Sequence, residues 1–287
     1  MNLVEGVFEL AESFMQPKEL AVFVQIDKQK IKALSQTMIE SGKSPFIPPD
    51  INNNLKGIAL ELVGSSINYC YWYGKSTIRP GNASSTTMFE LLEKAFYEYK
   101  GEDHLLFNNS ITYFIELLSQ NRFPLLEQRI KHLDELRSMG EDFCIEVQNS
   151  HNAIAPIMDR LITLFPGFSS DMFLKRVSLF FIQLYRRFGW FEKYLHFLHV
   201  PADYQIPKML NHYGCILYSS KLSKQIESNR LIPKHSQPEC EIRSATILTM
   251  RELCKLTGWN IAEVDAWLFV RRHDATGPFH LTITTDY

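Results

Sequence analysis

The chain lacks any cysteine pair at metal-ligand spacing and any marked excess of one charge. Its five cysteines (Cys70, Cys144, Cys215, Cys240 and Cys254) are odd in number, and no two form a C-x-x-C pair. That pattern fits neither a zinc knuckle nor a disulfide framework, and suits a reduced cytoplasmic protein with small buried thiols. Thirty Lys and Arg stand against 32 Asp and Glu, a net charge of −2. No global field therefore favours nucleic acid. Basic residues come as short pairs, such as Lys175-Arg176, Arg186-Arg187 and Arg271-Arg272, rather than as a tract.

No apolar run approaches the ~20 residues of a membrane helix. Glu5, Glu9 and Glu12 interrupt the first segment, which argues against a secretory signal. The G-x-S-x-G elbow, the Walker loop and the G-x-G-x-x-G fingerprint are all missing. His196 and His199 stand three apart with His212 downstream, but no H-E-x-x-H accompanies them, so no metal site is expected.

What is present is ordinary globular material. The 287 residues are 45% hydrophobic and 22% charged, enough for one large core or two small ones. Twenty Phe and 12 Tyr can pack a core or stack a flat ligand.

Most of the chain reads at helical period. Leu55, Ile58, Ala59 and Leu62 make a stripe ending near Gly64. Thr87 to Glu90 has capping-box spacing ahead of Leu92, Ala95, Phe96 and Tyr99. Leu126, Ile130, Leu133 and Leu136 follow Pro124, with Gly140 as a stop. Ile154, Ile157, Leu161 and Phe165 form another stripe, with Pro156 at its start or kinking it.

Asp171 can cap the next helix, which is apolar on more than one side and ends at Gly189. Shorter helices are expected from Ile206 to His212 and from Ser220 to Ser228. A long one follows from Ile242 to Leu256 before Gly258, and Asn260 with Glu263 caps another. Ile67 to Tyr73 and the alternating Phe279 to Thr284 read as extended. The expectation is a mainly α chain, one helical domain over residues 1–287 with a small β element.

Several residues could carry chemistry. Pro201 to Pro207 sets Asp203 and Tyr204 between two prolines, which stiffen the segment. Asp203 reads two ways: as a carboxylate facing developing positive charge or activating water, or as the cap of the helix after it. Lys175 and Arg176 open a helix, where anions are already favoured, so they suit a phosphate or a structural ion pair. Glu239, Glu241 and Arg243 begin another helix and serve a site or the macrodipole. Asp265 beside Trp267 could accept from a guanine-like edge or lie exposed. Asn68, Tyr69, Tyr71 and Trp72 could bind a planar base or fill the core.

Taken together these segments resemble the queuosine salvage proteins, the queuosine 5′-phosphate N-glycosylase/hydrolase family. Five stretches carry the resemblance: Ser66 to Trp72, Phe165 to Asp171, Phe173 to Arg176, Ala202 through Pro207 to Ser219, and Glu239 to Ser244 with Val264, Asp265, Trp267 and Tyr287. Departures occur at Gln205 (Arg is usual), Lys208 (Gln), Val177-Ser178 (Ala-Gln), Pro201 (Phe) and near Tyr194, where an acid is common.

The resemblance implies a helical fold similar to DNA glycosylases. It implies hydrolysis of queuosine 5′-monophosphate to queuine and ribose 5-phosphate, for salvage into tRNA, with no metal or organic cofactor. It assigns Asp203 the catalytic role. Substrate contacts would come from Lys175, Arg176, Tyr204, Asn68, Tyr71, Trp72, Glu241, Arg243 and Asp265. The partner is then a small nucleotide, not nucleic acid or a membrane, with a monomer as default. Two rival readings are a nucleic-acid glycosylase, which needs a basic binding face, and a helical module that binds a nucleotide without cleaving it.

Overall fold

The computed structural model describes residues 3–16, 22–44, 54–72, 83–98, 106–150 and 153–287. In chain order the elements begin with α1 (Leu3–Met15), β1 (Val24–Ile26), α2 (Lys28–Ser41), α3 (Asn54–Ser66) and α4 (Ser85–Glu93). There follow α5 (Leu106–Gln120), α6 (Leu126–Leu136), α7 (Gly140–Ser150), α8 (Ile154–Leu164), α9 (Pro166–Ser169) and α10 (Lys175–Phe188). The last are α11 (Gln205–His212), β2 (Ile216–Tyr218), α12 (Ser220–Glu227), α13 (Gln237–Thr257) and α14 (Ile261–Val270). The chain is thus mainly helical, with one small sheet among the described residues. Its internal contacts divide it into two compact units. One comprises Met1–Ile47, Glu192–Thr285 and Tyr287; the other comprises Pro48–Phe191 and Asp286.

The first unit is organised on α13. This helix runs from the N-cap Ser236 and Pro238 to Gly258, whose φ of 70° closes it in the left-handed region. It begins five residues before the expected Ile242, because Pro238 suits a first turn and Glu239 favours the positive helix end. Helix α1 lays the stripe Val4, Val7, Ala11 and Met15 against it. Asp27 caps α2 through the amides of Gln29 (2.9 Å) and Lys30 (3.0 Å). The expected capping box on α14 is present, with Asn260 and Glu263 each accepting the other's amide.

The two strands are antiparallel, pairing Val24 with Tyr218, Gln25 with Leu217 and Ile26 with Ile216. Neither was expected as a strand. The segment Phe279 to Thr284, expected as one, forms only an isolated bridge from Leu281 to Leu231. Nor does burial alternate along it: His280, Leu281, Thr282 and Thr284 are all buried, while Ile283 is 44% exposed.

The second unit is organised on α3, which packs against α7, α10, α4 and α6. Gly64 does not stop α3, which continues to Ser66. It is a contact point: a Cβ there would stand 2.6 Å from the ring of Phe89. Helix α4 opens earlier than expected, at the N-cap Ser84, and a π turn Lys94–Glu98 continues it; Tyr99 lies outside the described residues. Gly140 begins α7, and Pro156 falls in the first turn of α8, where its missing N–H costs nothing. Helix α10 is buried almost all round from Lys175 to Leu184, as its composition implied.

The segment from Ile67 to Trp72 is buried apart from half-buried Asn68 and is not a strand; Tyr73, Gly74, Pro80 and Gly81 lie outside the described residues. Its carbonyls are held by side-chain cations instead of a neighbouring strand.

Candidate active site

In the first unit, the segment before α11 carries Asp203. Oδ1 of Asp203 accepts the amide N–H of Gln205 at 2.7 Å and of Ile206 at 3.3 Å. Pro207, next in line, has no N–H to satisfy, so the carboxylate completes the start of the helix. The two prolines and these bonds fix the carboxylate, which is half-buried. Tyr204 is buried and stacks on Phe279 with centroids 4.4 Å apart.

Arg243 supports this segment from behind. It is fully buried on α13 and its Nε donates to the carbonyl of Ala202 at 3.2 Å, one residue before the acid. It pairs with Glu239 at 3.7 Å and lies over the ring of Tyr287, 4.6 Å from the centroid. The Tyr287 hydroxyl meets Nε2 of His280 at 3.2 Å. Burial first, and the Arg243 charge second, push the His280 pKa down to about 3. Burial and Glu239 raise the Tyr287 phenol well above its usual range.

Glu241 has a different occupation. Its carboxylate accepts the amides of Val22 (3.1 Å), Phe23 (2.7 Å) and Val24 (2.9 Å) and the side-chain amide of Gln237 (2.8 Å). It is therefore an anchor for β1. Asp265 is buried in the middle of α14 rather than exposed. Its neighbour Trp267 donates from Nε1 to the Ser41 hydroxyl at 2.8 Å.

In the second unit, Asp171 accepts the amides of Phe173 (3.0 Å) and Lys175 (2.8 Å), so it does cap α10. Lys175 is buried, and its Nζ donates to the carbonyl of Asn68 at 2.7 Å and to Asn68 Oδ1 at 3.3 Å. Arg176 is wholly buried and donates to the carbonyls of Ser66 and Gly167 and to the Ser170 hydroxyl. Desolvation lowers its pKa, and the nearby Tyr69 and Asp171 oppose that. Both adjacent cations are thus bound to backbone carbonyls, and Lys175 also meets Oδ1 of the candidate base-binding residue Asn68. The rings of Tyr71 and Trp72 are buried in the same segment.

Sequence reading missed Arg129 and His132. Both are buried on α6, where Leu126 and Ile130 of the expected stripe are less so. Arg129 donates to the carbonyls of Pro124 (2.8 Å), Ile67, Tyr69 and Cys70 (3.2 Å). His132 meets the Tyr69 hydroxyl through Nδ1 at 3.2 Å. The available signal was an arginine and a histidine at positions i and i+3 beside Leu133 and Leu136, on a face that must be buried.

Among the described residues no group of three His, Cys, Asp or Glu could hold a metal ion, and no helix is long and apolar enough to cross a membrane. His199 is buried with Nδ1 at 2.9 Å from the Val200 carbonyl, whereas His196 and His212 are exposed.

These features define a mainly helical protein whose candidate site residues are carboxylates, buried cations and aromatic rings. The family model described as queuosine salvage protein matches residues 52–276, and the chain belongs to that family. A relative from Sphaerobacter thermophilus named queuosine 5′-phosphate N-glycosylase/hydrolase is 28% identical over 194 residues, covering 58% of this chain and 60% of its own. Relatives of the same name are 25% identical in Schizosaccharomyces pombe (46% and 43% covered) and in Mus musculus (55% and 57% covered). The matched region thus spans about half the length of these relatives.

Proposed function

We propose that this chain hydrolyses the N-glycosidic bond of queuosine 5′-monophosphate, releasing queuine and ribose 5-phosphate. Family membership supports the reaction class, and the observation that carries the residue assignment is the seating of Asp203. A half-buried carboxylate is held by two amides through one oxygen and backed by an arginine on the preceding carbonyl.

Cleavage builds oxocarbenium character on the ribose, which a fixed carboxylate stabilises more than it stabilises the neutral ground state. The water oxygen bonds to C1′ as the C–N bond breaks, and its proton is taken up by the carboxylate or passed on to the departing base. The base is a 7-deazapurine with carbon in place of N7, so protonation at that position cannot help it leave. The burden falls on electrostatics at the sugar.

Lys175, at the first turn of α10 and in contact with Asn68, holds the phosphate. Asn68, Tyr71 and Trp72 contact the base. Tyr204 and Arg243 keep Asp203 in place, and Glu241 supports β1.

The test is purified protein incubated with queuosine 5′-monophosphate, with queuine followed by mass spectrometry. Asp203→Asn is an informative variant because its side-chain carbonyl can still accept the Gln205 and Ile206 amides, so the helix cap survives while the charge goes. The expected result is release by the wild type and a loss of about 10²- to 10⁴-fold in the variant. Tight nucleotide binding without release, unchanged in Asp203→Asn, would instead establish a binding module.

A further inference from the structure

Five successive carbonyls, Ser66 to Cys70, each accept a hydrogen bond from a buried cation: Arg176, Arg129, Lys175, Arg129 and again Arg129. A buried irregular segment must find donors for its backbone acceptors, and here they come from side chains. Cys70 sits at φ 40°, off the extended path, and its thiol meets the Trp72 carbonyl at 3.3 Å.

We propose that Arg129 is a positioning residue that holds Asn68 to Trp72 in the shape that receives the nucleotide. The inference rests on the proposed function, which places substrate on that segment. Arg129 is fully buried, and among the described residues its partners are carbonyl oxygens and ring faces rather than a carboxylate. Its guanidinium carbon lies 4.5 Å from the Tyr69 centroid, 5.1 Å from that of Tyr71 and 5.6 Å from that of Phe123. The planar fork is what the task requires. It reaches Ile67 with one nitrogen and Tyr69 and Cys70 with another, while Nε is tied to Pro124 on the far side. The same group backs the ring of Tyr71, so clamp and ring move together. A lysine carries the charge but has a single nitrogen and cannot hold the four carbonyls at once.

The experiment compares Arg129→Lys with the wild type in two arms. In the first, KM for queuosine 5′-monophosphate is expected to rise about 10-fold or more with kcat within about 3-fold, since a contact made equally in ground and transition states acts on KM. A purely structural arginine would lower kcat in proportion to the folded fraction and leave KM unchanged, and that result overturns the proposal. In the second arm, without ligand, the amides of residues 66–72 are expected to exchange hydrogen about 10-fold faster while those of α3 and α10 keep their protection. Unchanged exchange at 66–72 also overturns it.

If Arg129→Lys does not fold, Phe123→Leu removes one ring wall and leaves the four carbonyl bonds; a smaller KM rise is expected, and none overturns the proposal. A wild type that binds the nucleotide without releasing queuine sinks the proposed reaction alone. The clamp is then decided by a 10-fold loss of nucleotide affinity in Arg129→Lys or its absence. A wild type that neither cleaves nor binds the nucleotide overturns both.

Discussion

Glu241 on α13 accepts the amide of Phe23 at 2.7 Å, and the same oxygen accepts that of Val24 at 2.9 Å. One buried carboxylate therefore fixes the entry to β1, whose strand partner among the described residues, β2, lies almost two hundred residues along the chain. A strand of three residues has too few ladder bonds to hold itself, so the acid supplies the missing acceptors.

Removing that acid is expected to cost stability. Glu241→Ala leaves the amides of Phe23 and Val24 without their acceptor, and bonds to charged groups contribute about 1.5–3 kcal/mol each, so a loss of about 3 kcal/mol is expected. Glu241→Gln keeps one carbonyl oxygen for those amides and is expected to lose about 1 kcal/mol. Urea denaturation measures both. An alanine variant as stable as the wild type, with a raised KM, would return Glu241 to the substrate.

The helices were legible because burial imposes a local period, and their ends because caps are local chemistry: Asp171, Asn260 with Glu263, Gly189 and Gly258 act where their sequence put them. The strands were not, since Val24 and Tyr218 meet through tertiary packing and leave no mark on their neighbours. Alternation misled at Phe279 to Thr284 because polar side chains there are buried beside Leu281 with partners of their own, such as Tyr287 for His280, so polarity does not mark the outside. Among the candidate site residues, a charged side chain looks the same in sequence whether it faces a ligand or a carbonyl. That Arg176 is spent on carbonyls and Glu241 on the amides of β1 is seen only in what their atoms touch.

His280 makes stability depend on pH. Its pKa is pushed down to about 3 in the fold, against 6.5 for an unperturbed histidine. Below pH 6.5 the unfolded chain binds a proton that the folded protein refuses, so the contribution is whole above that value and is lost as pH falls towards 3. At about 1.4 kcal/mol per decade, this group alone removes about 2 kcal/mol between pH 6.0 and 4.5. His280→Gln is neutral throughout, so its loss of stability over that interval, read from urea midpoints, is expected to be smaller than that of the wild type by the same amount. Equal losses would mean that His280 takes up its proton in the folded state.

Lys175 is the residue proposed to hold the phosphate. Its Nζ lies against Asn68, at 2.7 Å from the carbonyl and 3.3 Å from Oδ1, at the first turn of α10. A cation there can serve a phosphate directly or act by holding Asn68, and Lys175→Met removes both. The two roles differ in what they do to the unphosphorylated nucleoside. A phosphate contact is absent for the nucleoside, so its loss lowers kcat/KM for the nucleotide by about 100-fold, ~2.7 kcal/mol, and leaves the nucleoside within a few-fold. The loss of an Asn68 support lowers both substrates alike. We expect the first pattern, with the preference for the 5′-monophosphate collapsing in Lys175→Met, and with Asn68→Ala weakening both substrates together. Parallel losses in the lysine variant would make Lys175 part of the same carbonyl clamp as Arg129 and send the search for the phosphate site elsewhere.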